Sequence, residues 1–581
     1  MQKFIINEDE KMMNKKSNII FKIIVVVSIL VFGITLAQKT LQNDTFYTIK
    51  IGEHIVETKS IDMKDPFSWH ENLTYTYPHW LYDTSIYLID NAGENIANHF
   101  NQNAEQGGMT AIYISTMLFA TIMGALIYIT NEKISNNKVI SLLLTLGSMY
   151  LLRNFIAARA QLVSYSLFVL EILFIEQFLR KPKKRYIIGL FAVATLIANF
   201  HAAVWYMFFI LALPYIGEAV VIWFMESNLS ARIELRFLAN KIKKKEKKLE
   251  KVPESKVEKI NSEIEKLKKK EQDLLGYKER CTVAVQKMEK NSKKINYIKR
   301  KNIKLLVLVL ILCAFSGLLT PQTSYEPYTH FFKLLKGNST ASISEHLPIV
   351  LAESVDAMLV LVILGVLLIF TDAKISLKDL FMLGGLIILT LMSRRQISIL
   401  ALVGVYSLNI IITELINKYE PEGIDKKLIK PLTTPYAILV ITLLLVLCGM
   451  SFFGTKYKDD FVDKSSYPVD AAQYILDNVD IENMKLFNHY NFGSYLLYKN
   501  IPVMIDSRCD LYTPEFNGQD IFSDALNISG LSMYYEDGFE KYGITHVITY
   551  TDGNLNKLLE HDDKYEELYR DDYFCLYKRN V

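Results

Sequence analysis

The stretch that decides the fold is YLLRNFIAARAQLVSYS, from Tyr150 to Ser166. It joins two apolar runs and carries Arg153 and Arg159 at the junction. Apolar runs of about 15 to 25 residues recur along the chain between short charged loops, a pattern typical of a multi-span membrane protein. The sequence therefore predicts an α-helical polytopic membrane protein and argues against a soluble enzyme with one anchor.

Each membrane crossing needs roughly 20 apolar residues, and on that basis the chain has about eleven transmembrane helices. The predicted spans are 19–37, 109–130, 137–152, 160–179, 186–200, 202–225, 303–320, 347–370, 376–392, 397–416 and 434–453. The first span follows a Lys-bearing N-terminus. We interpret it as a retained span because no small-residue cleavage site follows it.

The basic loops give the expected orientation. RKPKKR (180–185), the lysine-rich segment 226–302 and DKKLIK (425–430) all fall on the side of the N-terminus, which the positive-inside rule assigns to the cytoplasm. An odd number of spans then places the C-terminus outside. We expect a multi-pass cell-membrane protein with a cytoplasmic N-terminus, an extracytoplasmic C-terminal domain and membrane lipids as neighbours.

Composition divides the chain into four parts. Residues 1–225 form an N-terminal transmembrane bundle that includes a first outer loop, 38–108, and residues 303–453 form a second bundle. Residues 226–302 carry Ile and Leu at helical spacing among paired charges, which predicts a cytoplasmic helical hairpin, a coiled-coil insert broken near Pro253.

Residues 454–581 have a soluble pattern in which helical segments alternate with short apolar runs. The strand-length runs are MKLFN (484–488), PVMID (502–506), HVITY (546–550) and FCLYK (574–578). This alternation predicts a small extracytoplasmic α/β domain. The five cysteines form no closely spaced pair, so neither a zinc site nor a disulfide framework is indicated, and a bridge between Cys509 and Cys575 is left open.

Four arginines lie at the outer membrane boundary in this topology, where arginine is uncommon. They are Arg153, Arg159, Arg394 and Arg395. An ionised group that faces lipid is costly, so these residues favour a shared cavity that holds an anion. Guanidinium binds phosphate in a bidentate way, and we predict the four as donor-phosphate-binding residues. Alternatively, they reach outer headgroups or pair with loop carboxylates.

The first outer loop places Asp44 just outside the first span. There a carboxylate can act as general base on a hydroxyl or amide acceptor, while cations opposite stabilise a departing phosphate. We predict Asp44 as the catalytic residue; the alternative is that it caps a helix beginning at Thr45.

Further candidate substrate-binding groups are Glu53, His79, Gln161, His201, His489, Asp506 and Arg508. For His201 the alternative is a hydrogen-bonded structural histidine. For Asp506 and Arg508 the alternative is an ion pair that holds a turn.

Several motifs together carry a resemblance. They are Asp-Thr-Phe after the first span with a Gly-Glu turn (52–53) behind it, PHWLYD (78–83), ARAQLVSYSLF (158–168), NFHAAVW (199–205), MSRRQISILAL (392–402) and LFNHYNFGSYLLYKNIPVMIDSRCDLYTPEF (486–516). The set resembles the GT-C superfamily, whose members are integral membrane glycosyltransferases related to the protein O-mannosyltransferases and oligosaccharyltransferases.

The resemblance implies a GT-C-like fold and an inverting sugar transfer from a polyprenyl-phosphate donor at the outer face. The acceptor is a glycan, a lipid-linked molecule or a protein, and Asp44 positions or deprotonates it. The donor's lipid phosphate sits in a basic cradle. Oligosaccharyltransferases need a divalent cation and O-mannosyltransferases do not, so Mg²⁺ or Mn²⁺ is left open and no other cofactor is expected.

Three alternatives to this function are left open. A lipid-linked glycan ligase or polymerase would share the architecture but take a pyrophosphate-linked donor. A transporter or flippase would carry polar groups in mid-membrane and internal repeats, which the sequence does not display. A sensor or scaffold needs far fewer spans. We expect no nucleic-acid partner.

Overall fold

The computed structural model describes residues 2–61, 64–75, 77–226, 228–249, 257–275, 294–320, 325–336, 343–420, 423–456 and 459–580. Its α-helices are α1 Gln2–Leu36, α2 Asn43–Thr58, α3 Trp80–His99, α4 Ala104–Ser135, α5 Lys138–Leu151, α6 Ala160–Arg180, α7 Lys184–Phe200, α8 Trp205–Glu226, α9 Asn228–Leu249, α10 Val257–Leu275, α11 Ile303–Ala314, α12 Glu326–Lys336, α13 Val355–Phe370, α14 Leu377–Met392, α15 Ile397–Tyr419, α16 Ile424–Leu432, α17 Pro435–Lys456, α18 Val469–Asn478, α19 Tyr490–Tyr498, α20 Pro514–Asn517, α21 Ile521–Ser529, α22 Tyr535–Tyr542 and α23 Asn554–Leu559. Its strands are β1 Ile295–Asn296, β2 Ile375–Ser376, β3 Leu486–Phe487, β4 His546–Tyr550, β5 Tyr565–Arg570 and β6 Phe574–Arg579.

A helix lies at each position where the sequence predicts a span. Among the described residues, six helical segments are long and apolar enough to cross a membrane: Lys15–Leu36, Ala104–Ser135, Ala160–Arg180, Ala202–Met225, Arg394–Tyr419 and Pro435–Gly454. Lys138–Leu151, Ile303–Leu319 and Val355–Phe370 are shorter apolar helices. The prediction of a mostly helical membrane protein is confirmed, and the exact number of crossings stays a prediction.

Local capping explains where several helices begin. The side chain of Asn103 accepts a hydrogen bond from the backbone N–H of Gln106 and starts α4, and Asn137 does the same for Ile140 at the start of α5. α4 ends where Asn136 adopts a left-handed conformation. A side-chain oxygen at the N-cap satisfies one of the free N–H groups of the first turn, so α4 and α5 meet at a sharp, sequence-coded corner.

The first outer loop contains two packed helices, α2 and α3. The expected turn at Gly52 and Glu53 was wrong, because both residues lie inside α2. The glycine serves helix packing: a Cβ atom at Gly52 would lie 2.1 Å from the backbone oxygen of Asp83 on α3. A residue without a side chain is therefore needed for this close approach of the two helices.

The insert contains two helices, α9 and α10, in its described part. They pack against each other and are joined by ion pairs, Lys268 with Glu246 at 2.9 Å and Lys270 with Glu234 at 3.1 Å. The predicted break near Pro253 lies outside the described residues. After the insert, β1 pairs in parallel with β2, which directly precedes α14.

A buried charge cluster lies beside this β1–β2 pair. Its members are Glu176, Glu218, Arg300, Lys378 and Asp379. Arg300 Nε donates to Glu218 at 3.0 Å, and Lys378 Nζ contacts Glu176 at 3.2 Å and Asp379 at 2.6 Å. Because a buried charge is costly unless it is paired, these contacts hold the segments around β1 and β2 against α6 and α8.

Residues 459–580 form a four-stranded sheet in the order β3–β4–β6–β5, flanked by helices. β3 and β4 are parallel, whereas β4 with β6 and β5 with β6 are antiparallel. Three of the four predicted strands coincide with β3, β4 and β6. The fourth, PVMID, was wrong: its Val503 makes only an isolated bridge to Ser68 of the first outer loop. The polar segment that forms β5 was not predicted as a strand.

Two apolar cores organise the molecule. One joins the helices of the two bundles, and the other is shared by the first outer loop and residues 467–577. In the second core Phe46 packs edge-on against Tyr467 and Tyr495, with ring centroids 5.1 and 5.2 Å apart. The first outer loop and the C-terminal region therefore form one packed unit above the bundle.

Candidate active site

A polar cavity of about 430 Å³ lies where this packed unit meets the bundle. Its lining residues are Gln42, Asn43, Asp44, Tyr47, Thr48, Tyr75, Pro78, His79, Arg159, Ala160, Gln161, His201, Ala203, His330, Ile343, Ser344, Glu345, His346, Arg395, Tyr490, Asn491, Ser507, Arg508, Cys509 and Asp510. A second cavity of about 260 Å³ shares Arg159, Gln161, Glu345 and Arg395 with it and adds Arg394. Many of the predicted site residues thus line two adjoining cavities.

Asp44 and Arg159 form the central pair of the cavity. Arg159 Nη2 donates to Asp44 Oδ2, and both side chains are about a quarter exposed. Helix α2 begins at Asn43 with Gln42 as N-cap, and Asp44 lies in its first turn. The capping alternative for Asp44 was therefore wrong, since its carboxylate bonds to Arg159.

Arg159 keeps further contacts on its other nitrogen. Its Nη1 donates to Gln42 Oε1 at 3.3 Å and lies 3.5 Å from Glu345 Oε1. Residues 156–159 are held by the first outer loop, because Thr45 Oγ1 donates to the carbonyl of Ala158 at 3.0 Å. These contacts direct the guanidinium into the cavity. The contacts of Nη1 with Gln42 and Glu345 are long, so they are weak and can be exchanged for other partners.

The other predicted phosphate-binding arginines divide into two groups. Arg395 lines both cavities, and its Nη2 donates to Gln161 Oε1 at 3.4 Å, while Arg394 lines the second cavity. Arg153 is not brought to either cavity: its Nη2 lies 2.8 Å from Asp356 Oδ2, and it stacks on Tyr150. For Arg153 the structure matches the alternative of pairing with a carboxylate, although Asp356 lies in the first turn of α13 and not in a loop.

The segments PHWLYD and NFHAAVW meet beside the cavity. The backbone N–H of Ala202 donates to the carbonyl of Pro78 at 2.6 Å, and Trp80 Nε1 donates to Asn199 Oδ1 at 3.0 Å. The rings of His79 and His201 lie edge to face with centroids 6.2 Å apart. Both histidines are buried and line the cavity.

Arg508 and Asp506 form a closed ion-pair network at the C-terminal wall. Arg508 Nε and Nη2 donate to the two oxygens of Asp506 at 2.8 and 2.6 Å, and Nη1 lies 2.5 Å from Asp65 Oδ1. Burial works to raise the pKa of Asp65, but Arg508 and Ser68 outweigh it and hold that pKa below its ordinary value. These side chains are fully buried, so the pair holds the turn, as the structural alternative predicts.

Glu53 and His489 lie outside the cavity lining. Glu53 pairs with Lys50 and lines a separate groove near Pro502. His489 Nε2 lies 2.9 Å from Thr549 Oγ1 among aromatic rings, and burial lowers its pKa to about 4. Neither residue is positioned to contact a ligand in the main cavity.

Several lining groups were not singled out from the sequence. His330 on α12 bonds through Nδ1 to Glu326 Oε1 at 3.0 Å and approaches Asp510 through Nε2 at 3.5 Å. Glu345 and His346 lie in the loop between α12 and α13, and burial with Arg395 lowers the pKa of His346. The polar character of this loop was the available signal, but no spacing within it distinguished these residues.

The divalent cation left open by the sequence finds no matching cluster in the described part of the chain, where no three His, Cys, Asp or Glu side chains come together in a position to hold one. The carboxylate of Asp44 is bonded to Arg159. Cys509 and Cys575 are both free thiols, so the bridge left open between them is not formed.

Fold and site together define an integral membrane protein with a polar, arginine-bearing cavity at one end of a helix bundle. Neither family models nor curated proteins match the sequence. Among solved structures, the chain is similar to the Archaeoglobus fulgidus oligosaccharyltransferase tethered to an acceptor peptide containing the NVT sequon, with 11% identity, a TM-score of 0.51, and coverage of 96% of this chain and 74% of that one. The apo form gives 9% identity, a TM-score of 0.51, and coverage of 92% and 70%. This likeness confirms the expected resemblance to the GT-C superfamily at the level of the fold.

Proposed function

We propose that the protein is a membrane glycosyltransferase of the GT-C type, which transfers a sugar from a polyprenyl-phosphate donor to an acceptor at the outer face of the membrane. The observation that carries the proposal is the placement of Asp44 and Arg159 in one cavity, with Arg395 on its rim. A carboxylate beside exchangeable guanidinium groups suits a reaction in which a nucleophile attacks and a phosphate departs.

The phosphate of the donor binds Arg159 in this proposal. A phosphate offers a bidentate, charge-assisted contact that competes with the carboxylate of Asp44 and the weaker contacts to Gln42 and Glu345. Arg395 and Arg394 reach the same phosphate from the second cavity. Donor binding therefore releases Asp44 from Arg159 before the acceptor is engaged.

Asp44 then binds the nucleophilic group of the acceptor. The acceptor oxygen or nitrogen gives up its proton to a basic group of the protein and bonds to the anomeric carbon as the bond from that carbon to the phosphate oxygen breaks. The phosphate leaves with the electron pair toward the arginines. Attack from the face opposite the phosphate inverts the anomeric centre. No step is assigned to a metal ion, because the described residues provide no fitting ligand set.

The acceptor enters along the wall formed by α12, the loop between α12 and α13, and the C-terminal region. Glu345, His330 and Asp510 give this wall polar and acidic groups, which suit hydrogen bonding to a glycan or to a peptide. The solved structure of similar fold holds an acceptor peptide. We therefore infer an extracytoplasmic C-terminal region that takes part in acceptor binding.

A lipid-linked glycan ligase or polymerase is the second candidate. The second cavity adjoins the first and carries Arg394 and Arg395, which gives room and charge for a second phosphate. A pyrophosphate-linked donor would place one phosphate in each cavity, whereas the single phosphate of a monophosphate donor would lie between Arg159 and the arginines of the second cavity.

Lipid binding by the full chain in nanodiscs tests the proposal. Native mass spectrometry would compare polyprenyl-phosphate mannose or glucose, the corresponding pyrophosphate-linked sugar, and the same chain ending in an alcohol. We expect the monophosphate donor to bind and its labelled sugar to move to a component of a membrane extract. Equal binding of the alcohol would overturn the phosphate site, and preference for the pyrophosphate form would support the second candidate.

A further inference from the structure

A hydrogen-bonded chain of three side chains leads from the cavity into the first outer loop. Tyr47, one helical turn after Asp44, places its hydroxyl 3.0 Å from His79 Nε2, and His79 Nδ1 lies 2.6 Å from Asp83 Oδ1. Tyr47 and His79 line the cavity, whereas the side chain of Asp83 is fully buried. The chain thus has one end at the substrate space and the other inside the protein.

The direction of the protons follows from the carboxylate. A carboxylate only accepts, so His79 donates through Nδ1–H to Asp83, and its bare Nε2 accepts the O–H of Tyr47. The proton of Tyr47 therefore points away from the cavity, and the lone pairs of its oxygen are free for a donor in the cavity. Burial, with Tyr75, Asp44 and Asp83 nearby, raises the pKa of the Tyr47 phenol well above its ordinary value.

Packing fixes the hydrogen-bonded side chains Tyr47, His79 and Asp83 in place. His79 is the residue that precedes α3, and the backbone N–H of Asp83 donates to its carbonyl at 3.0 Å. Gly52 on α2 contacts the backbone oxygen of Asp83 so closely that no side chain fits between them. One oxygen of Asp83, Oδ2, has no hydrogen-bond partner among the described residues. A buried carboxylate kept half-satisfied against a histidine is costly, which favours a role beyond holding the helix.

We propose that Tyr47, His79 and Asp83 form the route by which the proton of the acceptor leaves the reaction centre. The inference rests on the proposed transfer reaction. As the nucleophile bonds to the anomeric carbon, its proton passes to the Tyr47 oxygen while the Tyr47 proton passes to His79 Nε2. The product is an imidazolium between Tyr47 and the Asp83 carboxylate, and no free phenolate forms. Asp44 orients the same nucleophile, and the released phosphate leaves with the electron pair.

Charged and titratable groups face these three side chains from neighbouring elements, and burial raises the pKa of Asp83 against the opposing effects of His79 and Arg508. Arg508 and Tyr75 face Asp83 and Tyr47 from the C-terminal wall and the first loop, and His201 faces His79 from the α7–α8 turn. The Nδ1 of His201 bonds to Ser164 Oγ at 3.0 Å, and Ser164 in turn donates to the carbonyl of Ala160. The hydrogen bond of His201 to Ser164 therefore keeps His201 outside the hydrogen-bonded series Tyr47–His79–Asp83.

The test is the pH profile of the single-turnover rate. It uses the full chain in nanodiscs, a membrane extract as acceptor source, and polyprenyl-phosphate mannose or glucose, whichever the wild type consumes. The donor is a phosphodiester that does not titrate between pH 5 and 8. The wild-type rate should fall toward acidic pH, because a protonated imidazole at position 79 cannot accept the proton of Tyr47.

Three variants should change that profile. Tyr47→Phe and His79→Gln should slow transfer by roughly 10- to 100-fold and remove its acidic limb, which is the usual scale for general acid–base catalysis. Asp83→Asn keeps the shape of the carboxylate but favours the opposite imidazole tautomer, so it should also slow transfer. Tyr467→Phe is the matched control: this buried phenol donates to the carbonyl of Leu41 at 3.3 Å outside the cavity, and its loss should leave the profile unchanged.

The outcomes separate this route from the transfer reaction itself. An active wild type whose acidic limb persists unchanged in folded Tyr47→Phe and His79→Gln would overturn the proton route and leave the transferase proposal standing. A wild type that consumes no polyprenyl-phosphate donor would overturn both. A flattened profile in those two variants with an intact profile in Tyr467→Phe is the expected result.

Discussion

Arg159 and Arg508 lie on the same cavity and have opposite surroundings. Arg508 is fully buried and its guanidinium is shared by Asp506 and Asp65 at 2.5 to 2.8 Å. Arg159 is partly exposed, has one tight partner in Asp44, and reaches Gln42 and Glu345 only at 3.3 and 3.5 Å. A saturated, buried arginine holds the structure, whereas one with loose contacts and solvent access can exchange a carboxylate for a phosphate.

The largest effect should come from breaking the saturated pair. Arg508→Ala leaves Asp506 and Asp65 buried without a cation, which should cost about 3 to 5 kcal/mol of stability. Thermal unfolding in detergent measures this loss, and Arg508→Lys should recover only part of it. An unchanged unfolding temperature in Arg508→Ala would show that the network does not hold the first outer loop to the C-terminal region.

Arg159→Ala should fold normally and lose donor affinity. It removes a charge-assisted contact to phosphate, so we expect donor binding to weaken by about 1.5 to 3 kcal/mol. Arg159→Lys should rescue this only in part, because an ammonium lacks the bidentate fork. The matched control is Arg153→Ala, whose pair with Asp356 is about one-third exposed and lies outside both cavities. Titration of all three variants with polyprenyl-phosphate sugar should leave only the control at wild-type affinity.

Arg395→Ala should have a smaller effect on the same titration. Arg395 shares the phosphate with Arg159 and Arg394 in our account, and its bond to Gln161 at 3.4 Å is weak. We expect a loss of about 0.5 to 1.5 kcal/mol in donor binding. A loss larger than that of Arg159→Ala would move the centre of the phosphate site to the second cavity.

The smallest effect should follow from removing the hairpin. Deleting 243–293 with a short flexible link spares Lys294, whose carbonyl accepts from the N–H of Ile375 at 2.8 Å. Turnover should stay within about twofold of wild type, as for changes remote from a site. Arg300→Ala, which removes a cation from the buried charge cluster, should instead lower the unfolding temperature. A hairpin deletion that abolishes turnover in folded protein would show coupling between the insert and the site.

The sequence predicted the helical membrane class and several residues of the cavity, because apolar length and outward arginines leave direct signals. Asp44, Arg159 and Arg395 were predicted to converge, and they do. Arg153 carried the same signal but lies outside both cavities. It pairs instead with Asp356, which belongs to a helix distant in sequence. Pairing of this kind depends on three-dimensional packing and not on spacing along the chain.

The opposite error concerns residues with weak local signals. Tyr47 and Asp83 lie at ordinary helix positions, and only the contact of α2 with α3 brings them to His79. Gly52 was interpreted as a turn because glycine favours turns in sequence, yet its role is to let two helices touch. PVMID had the composition of a strand and pairs with the first outer loop at a single bridge.

The central claim is that Asp44 acts on the acceptor and Arg159 holds the donor, and Asp44→Asn tests it most directly. The measurement is donor affinity and single-turnover transfer rate of this variant in nanodiscs, beside Arg159→Ala. The account predicts that Asp44→Asn binds polyprenyl-phosphate sugar at least as well as wild type, because Arg159 loses its competing carboxylate, while transfer slows by roughly 100-fold or more. An Asp44→Asn variant that keeps the full transfer rate would contradict the account.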